Sequence, residues 1–167
     1  MNDTLEQRIH RLESIEAIRN LKSCYFAACD AKNPAGMRAC FADGEVDIDF
    51  GAIGQFNRAD DLVALYEQMA LHPHIVEMHN GSNPRIEIID SDNAKGQWAL
   101  CYQVIDTEKM TLTQLGGDYQ DRFRRTDSGW KIVASQFVVH STLVLELGED
   151  QLKKLFAGRR MPMPGAA

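Results

Sequence analysis

Histidine is the side chain whose ordinary pKa, about 6.5, suits it to take up and return a proton at neutral pH. The chain of 167 residues has five histidines, and three of them, His72, His74 and His79, lie close together. A trio of imidazoles also invites a metal reading. Pro73 separates the first two in a turn, however, and no acidic partner stands at the spacing of a known ligand set, so no metal is expected. The four cysteines, Cys24, Cys29, Cys40 and Cys101, contain no C-x-x-C pair. Three of them fall in segments that read as helical core, which points to buried, reduced thiols and not to zinc or a disulfide framework. Among the acids, Asp121 in Y-x-D-x-x-R-R is expected to pair with Arg124 or Arg125 across a sheet.

The frame that must hold such groups is one compact domain, residues 1–167, with a core over about 8–146 and a C-terminal extension over 147–167. Hydrophobic residues make up 44% and charged residues 25%, an ordinary globular balance. The net charge is -6 and the basic residues are scattered, which argues against a nucleic-acid partner. No apolar run approaches membrane-span length and the N-terminus is amphipathic, so the expectation is a cytoplasmic protein with no membrane association.

Leu5, Ile9, Leu12, Ile15, Ile18, Leu21 and Tyr25 recur at steps of three and four, the period of a helix with one buried face. Thr4 and Gln7 have the form of a capping box at its start, although Ser14 with Glu16 could begin a second helix. Asn33-Pro34 then starts a short helix that turns Met37, Cys40 and Phe41 inward. EVDIDF reads as a strand, and residues 59–71 as a third helix with Leu62, Leu65, Tyr66 and Met69 on one face.

From His74 onward the period falls to two, with turn signals at Asn80-Gly81, Ser91-Asp92-Asn93 and Asp127-Ser128-Gly129. The segments IVEMH, PRIEIID, AKGQWALCYQVID, LTQLGGDYQDRFRR and WKIVASQFVVHSTLVLEL between them read as strands, several long enough for a sheet that curls. Helices followed by antiparallel strands make an α+β order. A short helix near Gln151–Phe156 is expected at the end.

Y-x-x-x-x-D at the end of the first helix, with HNGSNPRIEIIDSDNAKGQW and LGGDYQDRFRRTDSGWKI further on, resembles the SnoaL-like group of the nuclear-transport-factor-2-like superfamily. The likeness runs over about residues 8–140. It implies a cone-shaped α+β barrel, with N-terminal helices packed on a strongly curved, mainly antiparallel sheet around one pocket. The shared catalytic pair of the group's lyases falls on Asp30 and His79, and the functional tyrosine of its bile-acid dehydratases on Tyr25. Its dehydrochlorinases have a lysine at that tyrosine position and an arginine where this chain has Ser135 or Gln136, so dehydration is the better expectation. Asp49 lies where ketosteroid isomerases of the superfamily carry their base, yet an outward strand carboxylate is the stronger reading.

What the resemblance implies is a cofactor-independent lyase, a dehydratase acting on a hydrophobic cyclic, steroid- or polyketide-like molecule. Asp30 would orient His79 as the base and Tyr25 would donate to the oxygen that gains charge. Tyr25 and Asp30 are five apart, about 140° around a helix, so both reach one site only if the helix ends before Asp30. Glu77, two residues from His79 and on the same strand face, is a candidate for substrate contact, with Leu100, Tyr102, Val104 and Asp49, and with Trp98 at the rim. The alternatives are a non-catalytic small-molecule-binding or scaffolding cone protein and a ketosteroid-type isomerase. The apolar length of the last strand points to a homo-oligomer, and the resemblance implies a trimer in preference to a dimer, with residues after Gly148 expected to fold over the pocket entrance or a neighbouring subunit.

Overall fold

The structure, a computed structural model, describes residues 4–148. One unbroken helix, α1 (Leu5–Asp30), opens the chain. Its capping box is complete: the Thr4 hydroxyl accepts from the Gln7 amide and the Gln7 side chain accepts from the Thr4 amide. Ser14 does not start a new helix, because its hydroxyl bonds back to the His10 carbonyl inside α1. Asn33 caps the short α2 (Pro34–Ala39), which buries Met37; Cys40 and Phe41 follow it into the core. The third helix is α3 (Ala59–Ala70), and Lys32 Nζ ties the loop after α1 to its last turn through the Ala70 carbonyl. No helix among the described residues is long and apolar enough to cross a membrane.

Six strands follow the order β2-β1-β6-β5-β4-β3 in one mixed sheet. They are β1 (Asp47–Asp49), β2 (Gln55–Phe56), β3 (Ile75–Ile88), β4 (Asn93–Asp106), β5 (Thr111–Thr126) and β6 (Gly129–Glu146). Only β1 runs parallel to its neighbour β6; the other ladders are antiparallel. The arrangement is the expected α+β one with three helices on a curved sheet, with one correction. β2 and β3 are free edges, so the sheet is an open cone and not a closed barrel.

A second correction concerns Asn80-Gly81, which is no turn. Both residues continue β3 opposite Cys101 and Leu100 of β4. The glycine is there for space: a Cβ on Gly81 would sit 2.2 Å from a ring carbon of Phe26. The irregularity falls just after it, between Ser82 and Arg85, where Asn83 takes φ 51° and lets the strand bend. The helix expected near Gln151–Phe156, like the rest of the C-terminal extension after Gly148, lies outside the described residues.

Between helices and sheet lies a core centred on Ile18, Phe41, Ile48, Phe123 and Ile132. Within it is a fully buried ion pair, Lys22 Nζ to Asp121 Oδ2 at 2.7 Å. Ser135 donates to the other oxygen of Asp121 at 2.7 Å, and the Lys22 ammonium stands 3.6 Å from the centroid of the Tyr119 ring. Burial pulls the Lys22 pKa down and the Asp121 charge opposes that pull. The arginines expected beside Asp121 are elsewhere: Arg125 bonds Ser14 and the Ser91 carbonyl and lies over the Trp130 ring.

Candidate active site

Asp30 is the last residue of α1, and His79 lies on β3, the free edge of the sheet. An edge strand has backbone N–H groups with no ladder partner. The His79 amide is satisfied by Asp30, donating to Oδ1 at 3.0 Å and Oδ2 at 3.1 Å. The same carboxylate lies 2.6 Å from His79 Nδ1. An ionised carboxyl can only accept, so Nδ1 carries the proton and Nε2 is left with its lone pair.

The ring cannot easily turn away. Phe26 stacks on His79 with centroids 5.9 Å apart at 16°, and Tyr102, its cross-strand partner, lies 4.7 Å away on β4. Phe26 is the side chain that fills the space a Cβ on Gly81 would need, so one phenyl ring fixes both the strand and the imidazole.

His79 borders a mainly apolar cavity of about 140 Å³, with Tyr25, Leu100, Tyr102, Tyr119 and Phe137 among its walls. Asp30 is not on the wall; it stands behind the histidine. Helix α1 therefore does not have to end before Asp30 for the group to form. Tyr25 reaches the cavity from one face of the helix, while Asp30 holds His79 from another. Burial, then the neighbouring Tyr119, pushes the Tyr25 pKa well above its ordinary value, so it remains a proton-bearing donor at neutral pH.

Glu77 also borders the cavity, and its Oε1 accepts from the Tyr102 hydroxyl at 2.7 Å. Burial, followed by the Glu77 charge, raises the Tyr102 pKa. Tyr66 and Cys29 are among the wall residues not anticipated as site residues. Tyr66 donates to the Cys29 carbonyl at 2.5 Å, and burial pushes the Cys29 thiol up to about 12, which leaves it inert as a nucleophile. Tyr66 stood on the expected apolar face of α3; that face meets the cavity and not only the core.

Three further candidates, Val104, Trp98 and Asp49, are not among the cavity walls. Val104 shares the strand face of Leu100 and Tyr102 but is not among the cavity walls. Trp98, two residues before Leu100, is buried in the core against Phe123 and is not among the cavity walls. Asp49 accepts from the Gly51 amide at 3.0 Å and faces a different groove, shared with Asp47, Arg85, Lys95 and Arg122. That groove is larger, about 920 Å³, but open, charged and remote from the histidine. A small, mainly apolar cavity with a positioned imidazole is the better place for proton transfer. Ser135 is engaged with Asp121 and Gln136 is exposed opposite Asp49, so neither supplies the cavity with a polar group in place of the dehydrochlorinase arginine.

Among solved structures, a type 2 hexachlorocyclohexane dehydrochlorinase (LinA) superposes with a TM-score of 0.75 at 20% identity, covering 95% of this chain and 99% of that one. The LinA-type3 enzyme of Novosphingobium barchaimii LL02 gives 0.73 at 19%, over 83% and 94% of the two chains. A scytalone dehydratase candidate of Novosphingobium aromaticivorans DSM 12444 gives 0.74 at 17%, over 81% and 90%. At such identities the likeness is one of fold. The family model for the SnoaL-like domain matches residues 10–136, a span that takes in α1 from His10 onward, the cavity walls from β3 to β5 and both members of the Asp30–His79 pair, and on that match the chain belongs to the SnoaL-like domain family.

Proposed function

We propose that the protein is a cofactor-independent lyase, a dehydratase that removes water from a hydrophobic cyclic molecule. The observation that supports this reading most is the 2.6 Å contact between Asp30 Oδ1 and His79 Nδ1, which leaves Nε2 as the basic atom at an apolar cavity. In the proposed reaction His79 Nε2 takes a proton from a ring carbon next to a carbonyl. Tyr25 donates a hydrogen bond to the carbonyl oxygen as it gains charge. The electron pair then returns, a carbon–carbon double bond forms, and the hydroxyl on the neighbouring carbon leaves with the proton held by His79. One water departs and the imidazole is neutral again. Asp30 stabilises the imidazolium in between and keeps the tautomer fixed.

The cavity bounds what enters it. A dry cavity of about 150 Å³ takes benzene, so about 140 Å³ accepts one ring. For a steroid- or polyketide-like molecule, the reacting ring would lie inside and the remainder outside. The test is a screen of hydroxylated ring ketones for loss of one water by mass spectrometry. With a substrate found, His79→Ala should lower turnover by about 10²–10⁴-fold, the usual contribution of general acid–base catalysis. Unchanged turnover in the folded variant would refute the proposal.

A further inference from the structure

Only one oxygen of the Glu77 carboxylate is used by the protein. Oε1 accepts from Tyr102, while Oε2 is shielded from solvent and has no hydrogen-bond partner among the described residues. A buried acceptor left without a donor is costly, and such a group in a native structure calls for a reason. Glu77 borders the same cavity as His79, two residues along the same face of β3, so its open oxygen faces where a ligand would lie.

From this geometry we infer that Glu77 is the specificity-determining residue of the cavity and that Oε2 receives a hydroxyl hydrogen of the bound ring. The hydroxyl concerned is one the ring keeps, since a carboxylate that accepts a hydrogen bond does nothing to help a hydroxide leave. The inference rests on the reading of this cavity as the site, and it narrows the ligand class to a single ring with a hydroxyl donor. Beside the Tyr25 hydroxyl, which the proposed reaction aims at a carbonyl, the protein leaves two acceptors for the ligand, His79 Nε2 and Glu77 Oε2, and a ring without a hydroxyl donor leaves Oε2 unpaired. A charged acceptor makes the discrimination larger than a neutral one would.

The alternative for Oε2 is an ammonium group, and the test separates the two. Cyclohexanol, cyclohexanone and cyclohexylammonium have similar rings and differ in what they offer to the carboxylate. Their binding to the full-length protein is followed by NMR titration of the Leu100 methyl resonances. Wild type should bind cyclohexanol roughly tenfold or more tightly than cyclohexanone, as expected for one hydrogen bond to a charged group. In Glu77→Gln the amide oxygen keeps the Tyr102 hydroxyl and the amide NH₂ faces the cavity, so the preference should reverse in favour of the ketone. His79→Ala should keep the alcohol preference, which separates this inference from the proposed role of His79 in turnover. Tyr102→Phe should keep it as well, because it frees a second acceptor without adding a donor. An unchanged preference in Glu77→Gln, loss of it in His79→Ala, or tighter binding of cyclohexylammonium than of cyclohexanol in wild type would each overturn the inference.

Discussion

Replacing Asp30 with Asn should invert the tautomer of His79, and the reason lies in the double use of that carboxylate. One face of it serves Nδ1 at 2.6 Å, and both oxygens serve the His79 amide at 3.0 and 3.1 Å. Oδ1 serves both places and Oδ2 faces the same backbone N–H, so in an asparagine that keeps its oxygen at the Oδ1 position the NH₂ would stand about where Oδ2 is, 3.1 Å from the His79 amide nitrogen. The backbone N–H is always a donor, so setting the asparagine NH₂ against it would leave two donors face to face, a loss of about 1–3 kcal/mol. The favourable arrangement puts the amide oxygen on the backbone N–H and the NH₂ on Nδ1, which must then accept. The proton moves to Nε2 with a bias of roughly 5–150-fold, the equivalent of that energy. Long-range proton–nitrogen correlation spectra of the histidine-labelled protein read the tautomer directly and need no substrate. Wild type should show Nδ1–H and Asp30→Asn should show Nε2–H. An Nε2–H signal already present in wild type, or an unchanged tautomer in the variant, would refute the account. With a substrate in hand, the same variant should lose about four orders of magnitude in turnover, as a triad histidine does when its orienting aspartate becomes asparagine.

Lys22→Met should strand Asp121 in the core and cost about 3–5 kcal/mol, measurable as a fall in Tm of roughly 6–20 °C for a chain of this size; a shift within error would show that the pair is not sealed. All four tyrosines, Tyr25, Tyr66, Tyr102 and Tyr119, have pKa values raised chiefly by burial. A folded pKa above the unfolded value means the folded state holds protons that the unfolded state gives up. Stability from these groups is therefore complete below about pH 10 and is lost as pH rises through that point. In an alkaline titration, tyrosinate absorbance should appear together with loss of circular dichroism, and free titration near pH 10 in a folded protein would count against the burial. Val139, Leu143, Val144 and Leu145 of β6 are exposed, as is Met78 of β3. We expect these side chains to be covered in a homo-oligomer, a trimer before a dimer; sedimentation giving the monomer mass at micromolar concentration would exclude this.

The helices were legible because each has a local cause: a complete capping box at Thr4, an asparagine before proline at α2, an apolar face on α3. The sheet was legible as strands and turns, except where a glycine serves a neighbour distant in sequence. Gly81 reads locally as a turn residue, and only the ring of Phe26, which belongs to another element, explains it. Asp30 and His79 are 49 positions apart, and no local pattern links them; the resemblance to a family supplied the pairing. The core ion pair does have a signal in the sequence. Lys22 falls at helical spacing among Ile18, Tyr25 and Cys29, all buried, and a lysine on such a face requires a counter-charge from elsewhere. The two adjacent arginines are near Asp121 in sequence, yet Arg124 is exposed and Arg125, near the end of β5, is held by Ser14 and the Ser91 carbonyl over the Trp130 ring. Asp49 reads more strongly as an outward strand carboxylate than as a base, and it lines the charged groove, opposite Gln136 in the parallel register of β1 with β6.

Lys22 and Asp121 also constrain how this cavity can change over evolutionary time. The ammonium lies against Tyr119, a wall of the cavity, so the pair forms the foundation of one side of the site. A lineage that drifts toward a larger ligand cannot remodel that side by single steps, because losing either charge alone strands the other. The viable route replaces both residues together, or passes through a neutral intermediate kept folded by stabilising changes elsewhere. Descendants should accordingly vary freely on the α3 side of the cavity, at positions such as Leu65 and Met69, while position 22 and position 121 change only as a couple.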